Sequence, residues 1–259
     1  MVNSNANALG IIFPNSYDGL IPELVTERLM ASIPFAGRYR MVDFILSSMV
    51  NCGIDNVSLI VRKNYHSLMD HLGSGREWDL TRKYGGLNIV PPFASNTVKV
   101  YNGRIEALAS ILDMLKDARE KYVVMSDANL AVNFDFTAML EQHIESGADV
   151  TIAYKKQEIP VGMKKPFDIT KDLYYTFELD DDGRIRQLRI NPEDEGVQNL
   201  SMNIYKLNTF ANSTIFCCIG YNHIAFSNIA GFRIFSYRNR LQQIWHIRVG
   251  HIQTGSILC

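Results

Sequence analysis

Arg38, Arg40 and Asp43 stand close together in the stretch Ile33-Pro-Phe-Ala-Gly-Arg-Tyr-Arg-Met-Val-Asp-Phe44. Two guanidinium groups with a carboxylate one turn further on can grip an anion or clamp the carboxylate through charge-assisted hydrogen bonds. A plain Arg/Asp cap at a helix start makes the same pattern, and spacing alone leaves the choice open. A second place for chemistry is the loop Phe13-Pro-Asn-Ser-Tyr-Asp-Gly-Leu20 after an apolar first strand, because parallel sheets bind ligands beyond the carboxyl ends of their strands. A phosphate cradle there needs several glycines so that backbone N–H groups can approach the anion. This loop has only Gly19, and Pro14 has no N–H to give. The third group is Cys217, Cys218, His223, His246 and His251 near the C-terminus. Their spacing matches no zinc-ligand pattern, so no metal site is assigned to them.

The elements that must position these groups alternate between strand and helix. Ala8 to Phe13 reads as a buried first strand. Pro34 and Gly37 make a turn, and Met41, Ile45, Met49 and Cys52 fall on one face of a helix that Gly53 stops. Val57 to Val61 is a second strand, Asn64 to Leu72 a short helix ended by Gly73-Ser-Gly75, and Leu87 to Val90 a third strand, followed by a loop from Pro91 to Lys99. Ile105, Leu108, Ile111, Leu112 and Leu115 predict one helix over 104–116. A strand over 122–125, a helix capped by Asp135 and stopped by Gly147, and a strand over 150–153 follow. Such alternation predicts an α/β fold with a mostly parallel sheet covered on both faces. Beyond it, Tyr174–Leu179 and Arg184–Ile190 flank Asp180-Asp-Asp-Gly183 as an appended hairpin, and Met202–Tyr205 returns as one more strand.

Composition narrows the function classes. With 259 residues, 47% hydrophobic and 20% charged, the chain can bury a sizeable core as one large or two small domains. A net charge of -1 offers no basic stripe for nucleic acid, and no run is long and apolar enough for a bilayer. The N-terminus lacks the basic region of a signal peptide, and the four cysteines form no framework, which together predict a reducing, cytoplasmic setting. Residues 206–259 differ in kind: no Asp or Glu, five basic residues, three of the four cysteines and three of the six histidines. They are read as an atypical, poorly specified tail after a domain spanning 1–205.

Pro34-Phe-Ala-Gly-Arg-Tyr-Arg40 with Asp43-Phe44, Tyr65-His-Ser-Leu-Met-Asp-His-Leu-Gly-Ser-Gly75 with Trp78, and Ser201-Met-Asn-Ile-Tyr205 resemble the bacterial glucose-1-phosphate adenylyltransferases (ADP-glucose pyrophosphorylases) of glycogen synthesis, over roughly residues 8 to 205. The resemblance implies a Rossmann-like nucleotidyltransferase domain with a mostly parallel mixed sheet and an appended hairpin. The family adds a C-terminal left-handed β-helix of hexapeptide repeats; the tail has no such period, so that domain is expected to be absent.

Against the family pattern, several positions have changed chemistry. Its glycine-rich loop is replaced by Pro14-Asn-Ser-Tyr-Asp18, and the lysine preceding its Pro-Ala-Val-Pro-Phe run aligns with Met30. Its Mg²⁺-binding aspartate aligns with Asn129, whose neutral carbonyl is a weaker partner for that ion. Asp127 is the fallback ligand. In the sugar-phosphate pocket Tyr101, Gly103 and Ser201 match, but the Glu-Lys-Pro motif has become Ile190-Asn191-Pro192 and a pocket glycine aligns with Tyr175.

A kept scaffold with a stripped site is similar to the non-catalytic regulatory subunit that many Gram-positive bacteria pair with a catalytic one. The resemblance implies a hetero-oligomer in which Mg²⁺ and ATP serve the catalytic partner, this chain needs no cofactor of its own, and a sugar-phosphate effector is possible, with Arg38, Arg40 and Asp43 as anion candidates. Two alternatives stand beside it. One is an active sugar-phosphate nucleotidyltransferase using Asp127; the other is a non-functional truncated product with a frame change near residue 206.

Overall fold

The computed structural model describes residues 6–91, 104–148, 150–160, 174–181, 183–208 and 252–257. The chain divides into two compact units, the first holding the described residues up to Thr137 together with Asn208, the second Ala138–Leu207 and the strand at 252–257.

The first unit is built on β1 (Ala8–Phe13), all six of whose residues are buried. Such a continuous apolar run suits a strand covered on both faces. Its neighbours are both parallel: β4 (Asn56–Ile60) on one side and β6 (Tyr122–Asp127) on the other, with β5 (Gly86–Val90) beyond β4. A two-residue pair, β2 (Pro34–Phe35) and β3 (Tyr39–Arg40), turns through Ala36 and Gly37, both at positive φ, and delivers the chain to α1 (Met41–Asn51). The expected turn at Pro34 and Gly37 is this hairpin.

α1 lies against β1 because Gly10 has no side chain: a Cβ there would come within 2.9 Å of Met49 Sδ. Its fully buried apolar residues are Val42, Ile45, Leu46 and Met49, each worth about 1.5–3 kcal/mol when removed from water. Met41 and Cys52, expected on that face, are only half-buried. Ser48 hooks the segment after β6 onto the helix. Its hydroxyl donates to the Phe44 carbonyl at 2.7 Å and accepts the Phe134 N–H at 3.1 Å.

The helix expected over 104–116 is two pieces, α3 (Arg104–Ser110) and α4 (Leu112–Lys116). At the junction the Ile111 N–H reaches back only three residues, to the Leu108 carbonyl, and the Ser110 hydroxyl bonds the Ala107 carbonyl at 2.6 Å. Serine back-bonding competes with the helical ladder, which the apolar periodicity alone does not register. α2 (His66–Leu72) and a 3-10 turn at Arg76–Trp78 complete the unit, and α5 (Phe136–Ser146) spans the boundary and ends at Gly147 with φ 61.

The second unit is antiparallel. β7 (Val150–Glu158) pairs with β10 (Val197–Asn208), and the hairpin of β8 (Tyr175–Leu179) and β9 (Ile185–Ile190) joins it through Leu200 and Thr176. β11 (Ile252–Ile257) lies on the other edge of β7. The α/β class, the parallel core and the appended hairpin are as the sequence predicts. β7 and β10 both run well past their expected bounds, since polar residues such as Lys155, Gln157, Gln198 and Asn199 conceal the strand pattern. Of the atypical tail, only residues up to 208 and β11 lie among the described residues.

Candidate functional site

The carboxyl ends of β1 and β6 lie side by side, with Phe13 opposite Asp127. Asp127, the last residue of β6, has no exposed surface. Arg104, the first residue of α3, sets its Nη2 at 2.6 and 2.8 Å from the two carboxylate oxygens, and the Ser16 hydroxyl donates to Oδ1 at 2.6 Å. A buried carboxylate requires such compensation. The guanidinium also lies over the Phe13 ring, 5.7 Å from its centroid. Apolar spacing passed over Arg104, whose partner lies 23 positions further along the chain.

The loop after β1 is closed on itself by its own side chains. Asp18 accepts the Met30 N–H at 2.8 Å on Oδ1 and the Asn15 amide at 3.0 Å on Oδ2. Asn15 in turn accepts the Arg62 N–H at 2.8 Å and donates to the Lys63 carbonyl at 3.3 Å. Burial pushes the Asp18 carboxyl above its ordinary pKa, against the lowering pull of Asn15, the Met30 N–H, Arg62 and Lys63. A loop expected to lack a phosphate cradle therefore holds an anion of its own, and the backbone donor of Met30 is engaged by it.

Whether Mg²⁺ suits these residues follows from the donors. Hard dications want charged oxygens free to coordinate. Both oxygens of Asp127 face Arg104, and a dication about 4 Å from a guanidinium is opposed by roughly 8 kcal/mol at an effective dielectric constant of about 20. Asn129 is neutral, and its buried Oδ1 has no hydrogen-bond partner among the described residues. The set as it stands does not fit the ion.

Arg38, Arg40 and Asp43 do not converge on one another as an anion clamp. The Arg40 guanidinium donates to the carbonyl and, at 2.8 Å, the hydroxyl of Ser67 on α2. Asp43 accepts the Arg40 backbone N–H at 2.9 Å, satisfying a donor at the start of α1, and its other oxygen meets His71 Nε2 at 2.6 Å. Ser47, one turn on, accepts the Trp78 indole N–H at 3.0 Å. The two sequence motifs thus clasp α1 to α2 and the following turn, the capping alternative extended by tertiary bonds. Arg38 is exposed and has no partner among the described residues.

In the second unit, Ser201 bonds Asn203, accepting its N–H at 3.1 Å, at an irregularity of β10 where Asn203 has φ 54. Tyr175 begins β8 opposite Ile190. Asn191 has φ 46; its Oδ1 accepts the Tyr174 N–H at 2.9 Å and its own N–H donates to the Tyr174 carbonyl. The Tyr174 hydroxyl closes the hairpin base on the Pro192 carbonyl at 2.7 Å, and burial raises its pKa, aided by Glu193 and Asp194. Asn191 is a hairpin clasp with no cation to offer. Tyr101, Gly103 and the His/Cys group lie outside the described residues. No helix among the described residues is long and apolar enough to cross a membrane.

Comparison with known proteins bears on this geometry. The chain is similar to the glycogen biosynthesis protein GlgD of Geobacillus stearothermophilus, 43% identical over 152 residues, covering 57% of this chain and 43% of that protein. To GlgD of Bacillus subtilis it is 36% identical over 173 residues, 66% of this chain and 50% of the relative. To a glucose-1-phosphate adenylyltransferase of Clostridium novyi it is 31% identical over 186 residues, covering 71% and 46%. The chain spans half the length or less of these relatives. In fold it is similar to a Bacillus anthracis protein assigned as a glucose-1-phosphate thymidylyltransferase, with a TM-score of 0.58 at 14% identity over 82% of this chain and 74% of that one. The sequence profile of the nucleotidyl transferase family matches residues 24–211, and the chain belongs to that family.

Proposed function

We propose that this chain is a regulatory, non-catalytic subunit of a glucose-1-phosphate adenylyltransferase in glycogen synthesis. It assembles in the cytoplasm with a catalytic subunit that uses Mg²⁺ and ATP to convert glucose 1-phosphate to ADP-glucose, and it adjusts that subunit's rate or effector response. Residues 1–205 are taken as its nucleotidyltransferase-like domain. The observation that carries the reading is the Arg104–Asp127 pair, which fills the end of β6 with an internal cation. Adenylyl transfer needs the triphosphate held, its charge neutralised by a metal and the sugar phosphate aligned. The self-satisfied loop at Asn15 and Asp18, the clamped Asp127 and the clasp at Asn191 disfavour each of these in turn. Similarity to GlgD supports the glycogen setting and a catalytic partner. For a sugar-phosphate effector, exposed Arg38 is the remaining candidate of the three charged residues near α1. The test is co-purification with a catalytic subunit, with activity measured before and after mixing.

A further inference from the structure

We infer that the Arg104 guanidinium is a built-in substitute for a divalent cation, so that removing its charge uncovers a divalent-cation site on Asp127. The inference deepens the non-catalytic reading, but it concerns cation binding by the isolated chain and stands or falls without any partner.

Three segments meet at this carboxylate: the end of β6 supplies Asp127, the loop after β1 supplies Ser16, and the start of α3 supplies Arg104. The carboxylate has no exposed surface, so in the absence of the guanidinium it would be a buried charge with one hydroxyl donor among the described residues. Such a group takes up a cation or a proton to relieve its desolvation. The oxygens at hand are hard ones: both carboxylate atoms and the Ser16 hydroxyl. Oxygen donors of this kind select Mg²⁺ or Mn²⁺ over soft metals. Arg104 delivers one positive charge to the same two oxygens through a single nitrogen, Nη2, of a group that is always protonated, and so makes the neutralisation permanent and independent of cation concentration.

The experiment compares the wild-type chain with Arg104→Gln, Arg104→Lys and Arg104→Gln/Asp127→Asn. Mn²⁺ binding is read by electron paramagnetic resonance of the free ion, and thermal melting is followed with and without Mg²⁺ at constant ionic strength. Arg104→Gln is expected to bind Mn²⁺ at least about tenfold more tightly than wild type and to melt higher in Mg²⁺, since a ligand that binds only the folded state stabilises it. Wild type, Arg104→Lys and the double variant are expected to show neither response. If Arg104→Gln is unfolded in buffer, Mg²⁺ should restore its folded circular-dichroism signal, and should not restore that of the double variant. Equal Mn²⁺ binding by wild type and Arg104→Gln, an equal gain by Arg104→Lys, or an Arg104→Gln chain that neither binds nor is rescued by the ion would each overturn the inference.

Discussion

Arg104 Nη2 stands 2.6 Å from one carboxylate oxygen of Asp127 and 2.8 Å from the other, joining the first residue of α3 to the last residue of β6. Because the aspartate is wholly buried and the arginine largely so, the pair holds the two elements together as well as blocking the strand end. Arg104→Ala should lower unfolding free energy by about 3–5 kcal/mol, the usual result of stranding one member of a buried pair. Replacing both residues should cost less than the sum of the single changes, which urea denaturation of the four-member cycle checks.

The clasp between α1 and α2 separates Arg40 from Arg38. Arg40→Ala should destabilise the protein by about 1–3 kcal/mol, because it removes charge-assisted bonds to Ser67. Its melting temperature should shift equally with and without phosphate. Arg38→Ala, at an exposed position, should leave the melt unchanged, and any loss of phosphate affinity should appear there.

Asp18 gives the loop after β1 a pH signature. Its folded pKa is raised by burial above the unfolded 3.8, so its contribution favours folding at low pH and is lost as pH rises through the folded value. Asp18→Asn does not titrate there. The melting temperature of the wild type relative to Asp18→Asn should therefore fall as pH rises from about 4 to about 7, and a flat or rising difference would show that burial does not dominate at Asp18.

The parallel core was legible because its elements carry strong local signals: β1 is an unbroken apolar run, Gly53 and Gly147 stop their helices, and Asp180 to Gly183 is turn chemistry. Strand lengths in the second unit were less so, because the polar residues of β7 and β10 depend on pairing that sequence spacing does not record. At the site, the family resemblance alone sets Asn129, Met30 and Asn191 at changed positions. It could not show that Arg40, Asp43 and Asp127 are turned onto partners within the fold. Arg40 pairs with a serine 27 positions away, Asp43 with a histidine 28 away and Asp127 with an arginine 23 away. Such bonds belong to the fold, and no local window contains both partners.

Restoring single family residues should fail for a structural reason. Asn129→Asp adds a carboxylate but leaves Arg104 on Asp127 and the loop bonded to itself, so ADP-glucose formation by the isolated variant should stay undetectable. Asn191→Lys should also destabilise the hairpin by about 1–3 kcal/mol, since lysine is poorly suited to φ 46 and cannot accept the Tyr174 N–H. A melt unchanged by Asn191→Lys would show that the hairpin base does not depend on the clasp.

The central claim is that this chain regulates a partner and does not transfer adenylyl groups itself. It is tested most directly by measuring ADP-glucose formation from ATP, Mg²⁺ and glucose 1-phosphate with this chain alone, a catalytic subunit alone, and the two co-purified. No turnover is predicted from this chain alone, with a co-purified complex whose rate or effector response differs from that of the catalytic subunit. Clear turnover by the isolated chain, or a mixture that neither co-purifies nor differs from the catalytic subunit, would contradict it.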